Sequence, residues 1–242
     1  MEKTDGSAGE SYPLDDMVYY EYQVTKGGES MALWILVCVP LMALGTTLYF
    51  RYQYRGKKPL SLFWKSFASG MMVLLCGAGL VAKGTPFWSS LLFWGLAACC
   101  VADCVLELHF VAGMGAFGTA HVLFIVWIVQ AAMPVWYSIP IWVVLYGITA
   151  ILYRRIIPTL GNKLVPFLLY PAVLMAMASM ALVLPVTAGW AYWTAAAGAL
   201  VFAVSDLLVA KGVLVGNSRR CNHITLALYN AALLGLALGG WI

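Results

Sequence analysis

Charged side chains are scarce in this sequence, and Asp, Glu, Lys and Arg together make up only 10% of its 242 residues. A soluble domain carries roughly 25% charged residues, so the composition excludes a soluble fold. Hydrophobic residues make up 63% of the chain, and the mean hydropathy is +0.87. Because about 20 apolar residues span a bilayer as a helix, the chain has room for about eight spanning helices.

Acidic residues are also nearly absent beyond the N-terminal segment, since seven of the ten lie in the first 30 residues. This acidic segment, with several Gly and Ser, is predicted to be a flexible, solvated tail over 1–30, followed by a transmembrane domain over 31–242. The segment lacks the basic region of a signal peptide, so the first helix is expected to be a retained anchor.

Metal-binding patterns are missing as well. The six cysteines lie in or beside apolar segments at no metal-like spacing and are interpreted as small buried hydrophobes without a disulfide. Two of the three histidines, His109 and His223, lie near predicted loops and are expected at the surface. The sequence predicts no cofactor and no metal site.

Apolar runs bounded by charges, Pro or Gly are the main structural signal, and they predict eight helices. The predicted spans are 31–50, 60–82, 86–107, 115–133, 138–157, 164–184, 191–213 and 222–241. Helices satisfy their own backbone groups in lipid. The predicted fold is therefore all-α, a polytopic transmembrane helical bundle.

The basic residues predict an orientation. Eleven of the 14 lie on one side of the predicted bundle, in the loops 51–58, 154–163 and 211–223 and at Lys65. The positive-inside rule places this side in the cytoplasm and both termini outside the cytoplasm. The expected membrane is the cell membrane in a bacterium or the endoplasmic reticulum membrane in a eukaryote. The net charge of +4 is thus a topology signal, and nucleic-acid binding is not expected.

The three remaining acids, Asp103, Glu107 and Asp206, all fall within predicted helices. A carboxylate in a bilayer costs at least about 2.5 kcal/mol on insertion scales, so such a residue is a functional hypothesis. Asp103 and Asp206 are interpreted as functional, against the alternative of a polar contact between helices. Glu107 lies at a helix end and is interpreted as a solvated charge.

Several polar groups share one predicted depth. Asp103 lies about four residues from the cytoplasmic end of its helix, roughly 6 Å, and His121 about six residues in, roughly 9 Å. Asp206 lies about seven residues from the end of its helix. The polar residues within two turns of the same face are Lys65, Tyr170, Tyr229 and Asn230. This shared depth predicts a polar pocket open to the cytoplasmic side.

The two halves of the chain resemble each other weakly. The segment 101–106 reads VADCVL and the segment 204–209 reads VSDLLV, at an offset near 103 residues. Paired helices run in the same direction, so the hypothesis is a parallel four-plus-four duplication. It would place the two aspartates across a pseudo-two-fold axis along the membrane normal.

The motifs around these aspartates resemble those of the lysoplasmalogenase (YhhN) family of polytopic membrane proteins. The first is a helix ending in Gly-Asp-x-x-Leu and followed by Phe-x-x-Gly-x-x-x-Phe-x-x-x-His, which matches Asp103, Leu106, Phe110, Gly113, Phe117 and His121. The second, Gly-Ala-Leu-x-Phe-x-x-Ser-Asp, matches Gly198, Ala199, Leu200, Phe202, Ser205 and Asp206. The resemblance runs from about residue 57 to 235.

The sequence departs from the family pattern at three places. Ala102 replaces the glycine before the first aspartate. On the last helix the expected Tyr-Tyr-x-Ala-Gln reads Tyr229, Asn230, Ala231, Ala232 and Leu233. An expected Trp-Arg reads Ser179 and Met180. The change at Ala102 bears on packing, the change on the last helix bears on the choice of substrate, and the loss of Trp-Arg bears on a contact with the headgroup.

The resemblance implies hydrolysis of the vinyl ether bond of lysoplasmalogen, a lysophospholipid taken from the bilayer, to a fatty aldehyde and a glycerophospho-alcohol. Asp103 and Asp206 are the expected acid–base pair, and His121 would orient a carboxyl group or relay protons. The expected substrate-binding residues are Lys65, Tyr170, Ser205, Tyr229 and Asn230.

Three alternatives stay open at this point, as does the oligomeric state. One His and two Asp would also suit a divalent metal that activates water. An aspartate pair in a duplicated helical body is also found in proton-coupled transporters, and a lipid-binding sensor would share these features. A scaffold that binds partners through small residues such as Gly235 and Gly239 would leave the acids unexplained.

Overall fold

Helices account for most of the chain. The computed structural model describes residues 14–161 and 164–242. The α-helices of this part are α1 (Leu14–Gln53), α2 (Lys58–Ala82), α3 (Leu91–Leu108), α4 (Phe110–Ala131), α5 (Ser138–Tyr153), α6 (Leu164–Ala181), α7 (Leu184–Thr187), α8 (Trp193–Val215) and α9 (Arg219–Ala237). No strand occurs among the described residues.

Seven of the described helical segments are long and apolar enough to cross a membrane, and α5 is a shorter apolar helix of 16 residues. The all-α polytopic bundle is therefore confirmed, and the chain is an integral multi-pass membrane protein. The short helix α7 follows closely after α6, and the two together are one candidate span, Leu164–Thr187.

Helix α5 ends four residues earlier than predicted. At 1.5 Å per residue it is about 24 Å long, less than the roughly 30 Å of a hydrocarbon core. Arg154, Arg155 and Pro158 follow its last residue, and a proline excludes continuation of the helix. Ser138 nevertheless lies beside Met180 at the end of α6, and Tyr153 packs on Phe167 near its start. Helix α5 therefore traverses the bundle beside α6.

Helix α1 begins at Leu14 rather than at residue 31. Part of the predicted acidic tail is thus helical, and residues 1–13 of that tail lie outside the described residues. The sequence has no proline between Leu14 and Pro40, so every residue in this stretch keeps the backbone N–H that a helix uses. The division of the chain at residue 30 stays a prediction.

The helix ends with most basic residues gather on one side of the bundle, here called the base-rich face. One cavity is lined by the end of α1 at Gln53, the end of α5 at Tyr153, the start of α6 at Phe167, and Asn217 between α8 and α9. Since these four sites surround the same cavity, the loops after α1, α5 and α8 lie on one side, as predicted. Which side of the membrane this is stays a prediction.

On the opposite side, α8 and α9 approach each other at glycines. A Cβ atom on Gly198 would lie 2.8 Å from the carbonyl oxygen of Ala232, and one on Gly235 would lie 2.7 Å from that of Thr194. Such small residues let helices pack closely in lipid, where apolar burial gives little driving force. Gly235 therefore packs against another helix of the same chain, so it does not support a scaffold that binds partners through Gly235.

Candidate active site

A cavity of about 330 Å³ opens toward the base-rich face. Its polar lining residues include Lys65 on α2, Asp103 and Glu107 on α3, Tyr170 on α6, Asp206 on α8 and Tyr229 on α9. The predicted pair Asp103 and Asp206 thus shares one cavity, although the two residues lie 103 positions apart in the chain. Three carboxyl groups and one ammonium group surround the same space.

Asp103 is the more enclosed of the two aspartates, with 2% of its surface exposed. Its Oδ2 atom accepts hydrogen bonds from the Ser69 hydroxyl of α2 and from the Tyr229 hydroxyl of α9, the latter at 3.0 Å. Its Oδ1 atom lies 3.7 Å from Nζ of Lys65. Two hydroxyl donors and one ammonium therefore surround this carboxylate, which is how a buried charge is normally compensated.

Glu107 is exposed, as predicted for a charge at a helix end, and it also belongs to the same network. Its Oε1 atom accepts hydrogen bonds from Nζ of Lys65 at 3.1 Å and from the Tyr49 hydroxyl of α1 at 2.8 Å. The side chain is 32% exposed and lines the cavity. Helix geometry explains this membership, because Glu107 lies four residues after Asp103 and so faces the same direction.

Asp206 has different neighbours. Its Oδ2 atom accepts a hydrogen bond from the Tyr170 hydroxyl of α6 and lies 3.6 Å from Nε2 of His121 on α4. The same Nε2 atom lies 3.1 Å from the Tyr170 hydroxyl. Among the described residues, no Lys or Arg forms an ion pair with Asp206. This carboxyl group therefore has an aromatic hydroxyl and an imidazole as polar partners.

The partners of the two aspartates are distributed in the same way. Asp103 on α3 takes Ser69 from α2 of its own half and Tyr229 from α9 of the other half. Asp206 on α8 takes Tyr170 from α6 of its own half and His121 from α4 of the other half. A parallel duplication would give this exchange between halves. The duplication itself stays a prediction.

His121 lies behind the cavity wall, and this corrects the expectation that it would face the pocket. The residue is fully buried, and the cavity lining at this level consists of Asp206 and Tyr170. Its ring packs edge-on against Phe202 at a centroid distance of 4.9 Å. His121 can therefore act on a molecule in the cavity only through Asp206 or Tyr170.

Two predicted substrate-binding residues face neighbouring helices. The Ser205 hydroxyl donates a hydrogen bond to the carbonyl oxygen of Thr225 on α9 at 3.0 Å. The Asn230 amide donates to the Thr46 hydroxyl on α1 at 2.7 Å. Neither side chain lines the cavity. Both residues instead join helices, and this position follows from their helix faces, which depth alone does not reveal.

Much of the rest of the cavity wall is apolar and aromatic. Phe50, Phe110 and Phe117 line it together with Met114 and Leu174. The cavity thus combines a polar group of side chains with a hydrocarbon-compatible wall, which suits a molecule that has one polar and one apolar part. Helix α1 contributes to this wall and to the polar network, although the sequence offered no motif there.

His109 and His223 are exposed, as predicted. The His223 ring packs on Phe50 at a centroid distance of 3.8 Å, and its Nε2 lies 3.1 Å from the Tyr54 hydroxyl. This contact joins the end of α1 to the start of α9 beside the cavity. The six cysteines are free thiols. In the described part of the chain, no group of three or more His, Cys, Asp or Glu side chains is placed to hold a metal ion.

Residues 60–240 match the family model described as the YhhN family. This match spans about three quarters of the chain and includes both aspartates. The chain belongs to the YhhN family. No curated protein and no solved structure matches it. For this YhhN protein, the match begins after α1, so Tyr49, Phe50 and Gln53 lie outside it while lining the same cavity.

Proposed function

We propose that this YhhN protein is a membrane-embedded hydrolase that cleaves the vinyl ether bond of lysoplasmalogen or a related lysolipid. The observation that carries the proposal is that Asp103 and Asp206, contributed by the two halves of the chain, line one amphipathic cavity. Family membership is compatible with this activity. The proposed products are a fatty aldehyde and a glycerophospho-alcohol.

The chemistry needs a proton donor and a proton acceptor. Protonation of the alkene carbon of an enol ether gives an oxocarbenium ion, and water then adds to give a hemiacetal that collapses to the aldehyde. Glycosidases handle a similar cation with one protonated and one ionised carboxyl group. Asp103 and Asp206 would supply these two groups, and a positioned donor or acceptor contributes typically 10²–10⁴-fold in rate.

The other cavity residues would hold the substrate. The aromatic wall around Phe110 and Phe117 suits the alkenyl chain, and Lys65, Tyr170 and Tyr229 lie beside the carboxyl groups. Ser205 and Asn230 have no part in this proposal, because their side chains bond to neighbouring helices. The substrate would come from the bilayer, and the proposal needs no cofactor.

The decisive assay is aldehyde release by the purified protein. Incubation with lysoplasmalogen should release fatty aldehyde and glycerophospho-alcohol in equal amounts. The matched control is the lysolipid with a saturated ether at the same position, which cannot form the oxocarbenium ion by protonation and should stay intact. Absence of aldehyde from the vinyl ether substrate would contradict the proposal.

Proton-coupled transport or lipid sensing is the second candidate function. The observation that favours it is the contact of Asp206 with His121 and Tyr170, since carboxylate and histidine chains also carry protons in transporters. Uptake of a labelled lysolipid into vesicles, driven by an imposed pH gradient and without aldehyde formation, would favour this candidate. Aldehyde release without gradient dependence would favour the hydrolase.

We also propose that the base-rich face is cytoplasmic, following the positive-inside rule. In a background in which the six native cysteines are replaced by alanine, Lys57→Cys and Ser89→Cys place single thiols at exposed sites on opposite faces. In intact cells, an impermeant thiol reagent should label the thiol at 89 and leave the thiol at 57 unlabelled until the membrane is opened. The reverse pattern would invert the orientation.

A further inference from the structure

The two carboxyl groups of the cavity differ in their charged neighbours. Lys65 lies 3.7 Å from Asp103 and 3.1 Å from Glu107, so one ammonium group serves two acids on α3. The other ionisable groups that face Asp103 are the hydroxyls of Tyr229 on α9 and Tyr49 on α1, and the Cys99 and Cys100 thiols on its own helix. Asp206 faces the Tyr170 hydroxyl on α6, His121 on α4 and the Cys99 thiol on α3. A permanent cation is thus present at only one of the two described sites.

His121 is poorly placed to act as a second cation. Its Nδ1 atom is buried and has no hydrogen-bond partner among the described residues, and its neighbours include Phe124 and Phe202. An imidazolium donates from both ring nitrogens, so it would bury a charged N–H group without an acceptor. Leaving such a group unpaired costs more than leaving a neutral nitrogen unpaired.

We infer that Lys65 keeps Asp103 ionised and that Asp206 is the carboxyl group that donates the proton. The role of Asp206 as proton donor rests on the proposed function. The charge states of the two aspartates rest on their contacts in the structure. A nearby cation favours the ionised form of a carboxyl group, and burial without a cation favours the neutral form. Lys65 is thereby a positioning residue, and His121 orients Asp206 and Tyr170.

The assignment gives a balanced reaction. Asp206 transfers its proton to the alkene carbon, and the electron pair of the double bond forms the new C–H bond. Asp103 takes a proton from water as the water oxygen bonds to the oxocarbenium carbon. The hemiacetal then returns its hydroxyl proton to Asp206 while Asp103 protonates the departing glycerol oxygen. Both carboxyl groups end in their starting states, and one water is consumed.

A kinetic test uses Lys65→Met against Lys65→Arg. Loss of the ammonium should move the acidic limb of the pH profile of kcat/KM to higher pH, because Asp103 is then protonated more readily. Lys65→Arg keeps the charge and should keep the limb near its original position. An unchanged limb in a folded, active Lys65→Met protein would overturn the role of Lys65.

The most direct test is infrared spectroscopy of protein labelled with ¹³C at aspartate carboxyl groups, which excludes Glu107 from the signal. The purified protein at neutral pH should show a protonated aspartate band that is lost in Asp206→Asn and kept in Asp103→Asn. Loss of the band in Asp103→Asn, or no band in the wild type, would overturn the inference. This readout does not need turnover, so it tests the charge assignment separately from the reaction. The expected bands without aldehyde release would contradict the proposed hydrolase and support the charge assignment.

Discussion

On the base-rich side of the bundle, residues of α1 to α6, α8 and α9 surround a cavity with three carboxyl groups, whereas on the opposite side α8 and α9 touch at Gly198 and Gly235. The C-terminal residues also close that opposite side, where the Trp241 indole donates to the carbonyl oxygen of Leu75 at 3.0 Å. The two sides of the bundle therefore have different roles. Close packing on one side holds the helices while the other side keeps polar groups around a space.

The largest expected effect comes from removing either cavity aspartate. Asp103→Asn and Asp206→Asn keep the side-chain volume but remove the acid–base function, so each should lower aldehyde release by about 10²–10⁴-fold. The measurement is the release rate per folded molecule in detergent, with folding checked by thermal unfolding. Near-normal release by either variant would refute its assignment.

His121→Ala should have a smaller effect on the cavity side, because the imidazole contacts Asp206 and Tyr170 and does not line the cavity. The expected loss of rate is below about 10²-fold, less than that of Asp206→Asn measured alongside. A chelator should leave both the wild type and this variant unchanged. A loss as large as that of Asp206→Asn, together with inhibition by the chelator, would instead favour a metal.

Substitutions on the opposite side should change the stability of the protein. Gly198→Ala would place a Cβ atom 2.8 Å from the carbonyl oxygen of Ala232, so α8 and α9 must move apart. Overpacking typically costs 1–3 kcal/mol, which should lower the unfolding temperature in detergent. Gly115→Ala is the matched control, since nothing lies within 4 Å of its added Cβ. Equal unfolding temperatures for the two variants would contradict the close contact.

The smallest effects are expected for the two polar residues that join helices. Ser205→Ala and Asn230→Ala each remove one hydrogen bond away from the cavity, worth about 1 kcal/mol of stability. Aldehyde release per folded molecule should stay within a few-fold of the wild type. A large change in KM for either variant would return that residue to the substrate site.

The sequence predicted the parts of this architecture that follow from hydropathy and depth. Long apolar runs predict the helices. The free-energy cost of placing a carboxylate in the bilayer makes Asp103 and Asp206 conspicuous, because so few acids lie in the spans. Lys65, Tyr170 and Tyr229 were found for the same reason, since they share the depth of the aspartates and do line the cavity.

Helix rotation was harder to predict from the sequence. Ser205 is adjacent to Asp206, yet successive residues on a helix point about 100° apart, so Ser205 faces α9. Tyr49 and Ser69 were also missed, because the position of a residue along a helix does not reveal which neighbour its side chain faces. Tyr49 donates a hydrogen bond to Glu107, and Ser69 donates one to Asp103. The i, i+4 spacing of Asp103 and Glu107 was a usable signal for the latter.

The measurement that tests the central claim most directly is a comparison of aldehyde release by the wild type, the Asp103→Asn and Asp206→Asn variants, and the double variant. Residues that act as one catalytic unit show strongly non-additive losses. The account predicts that the wild type releases aldehyde and that the double variant is within a few-fold of the slower single variant. A double variant whose loss equals the product of the two single losses would contradict a paired mechanism, as would a wild type that releases none.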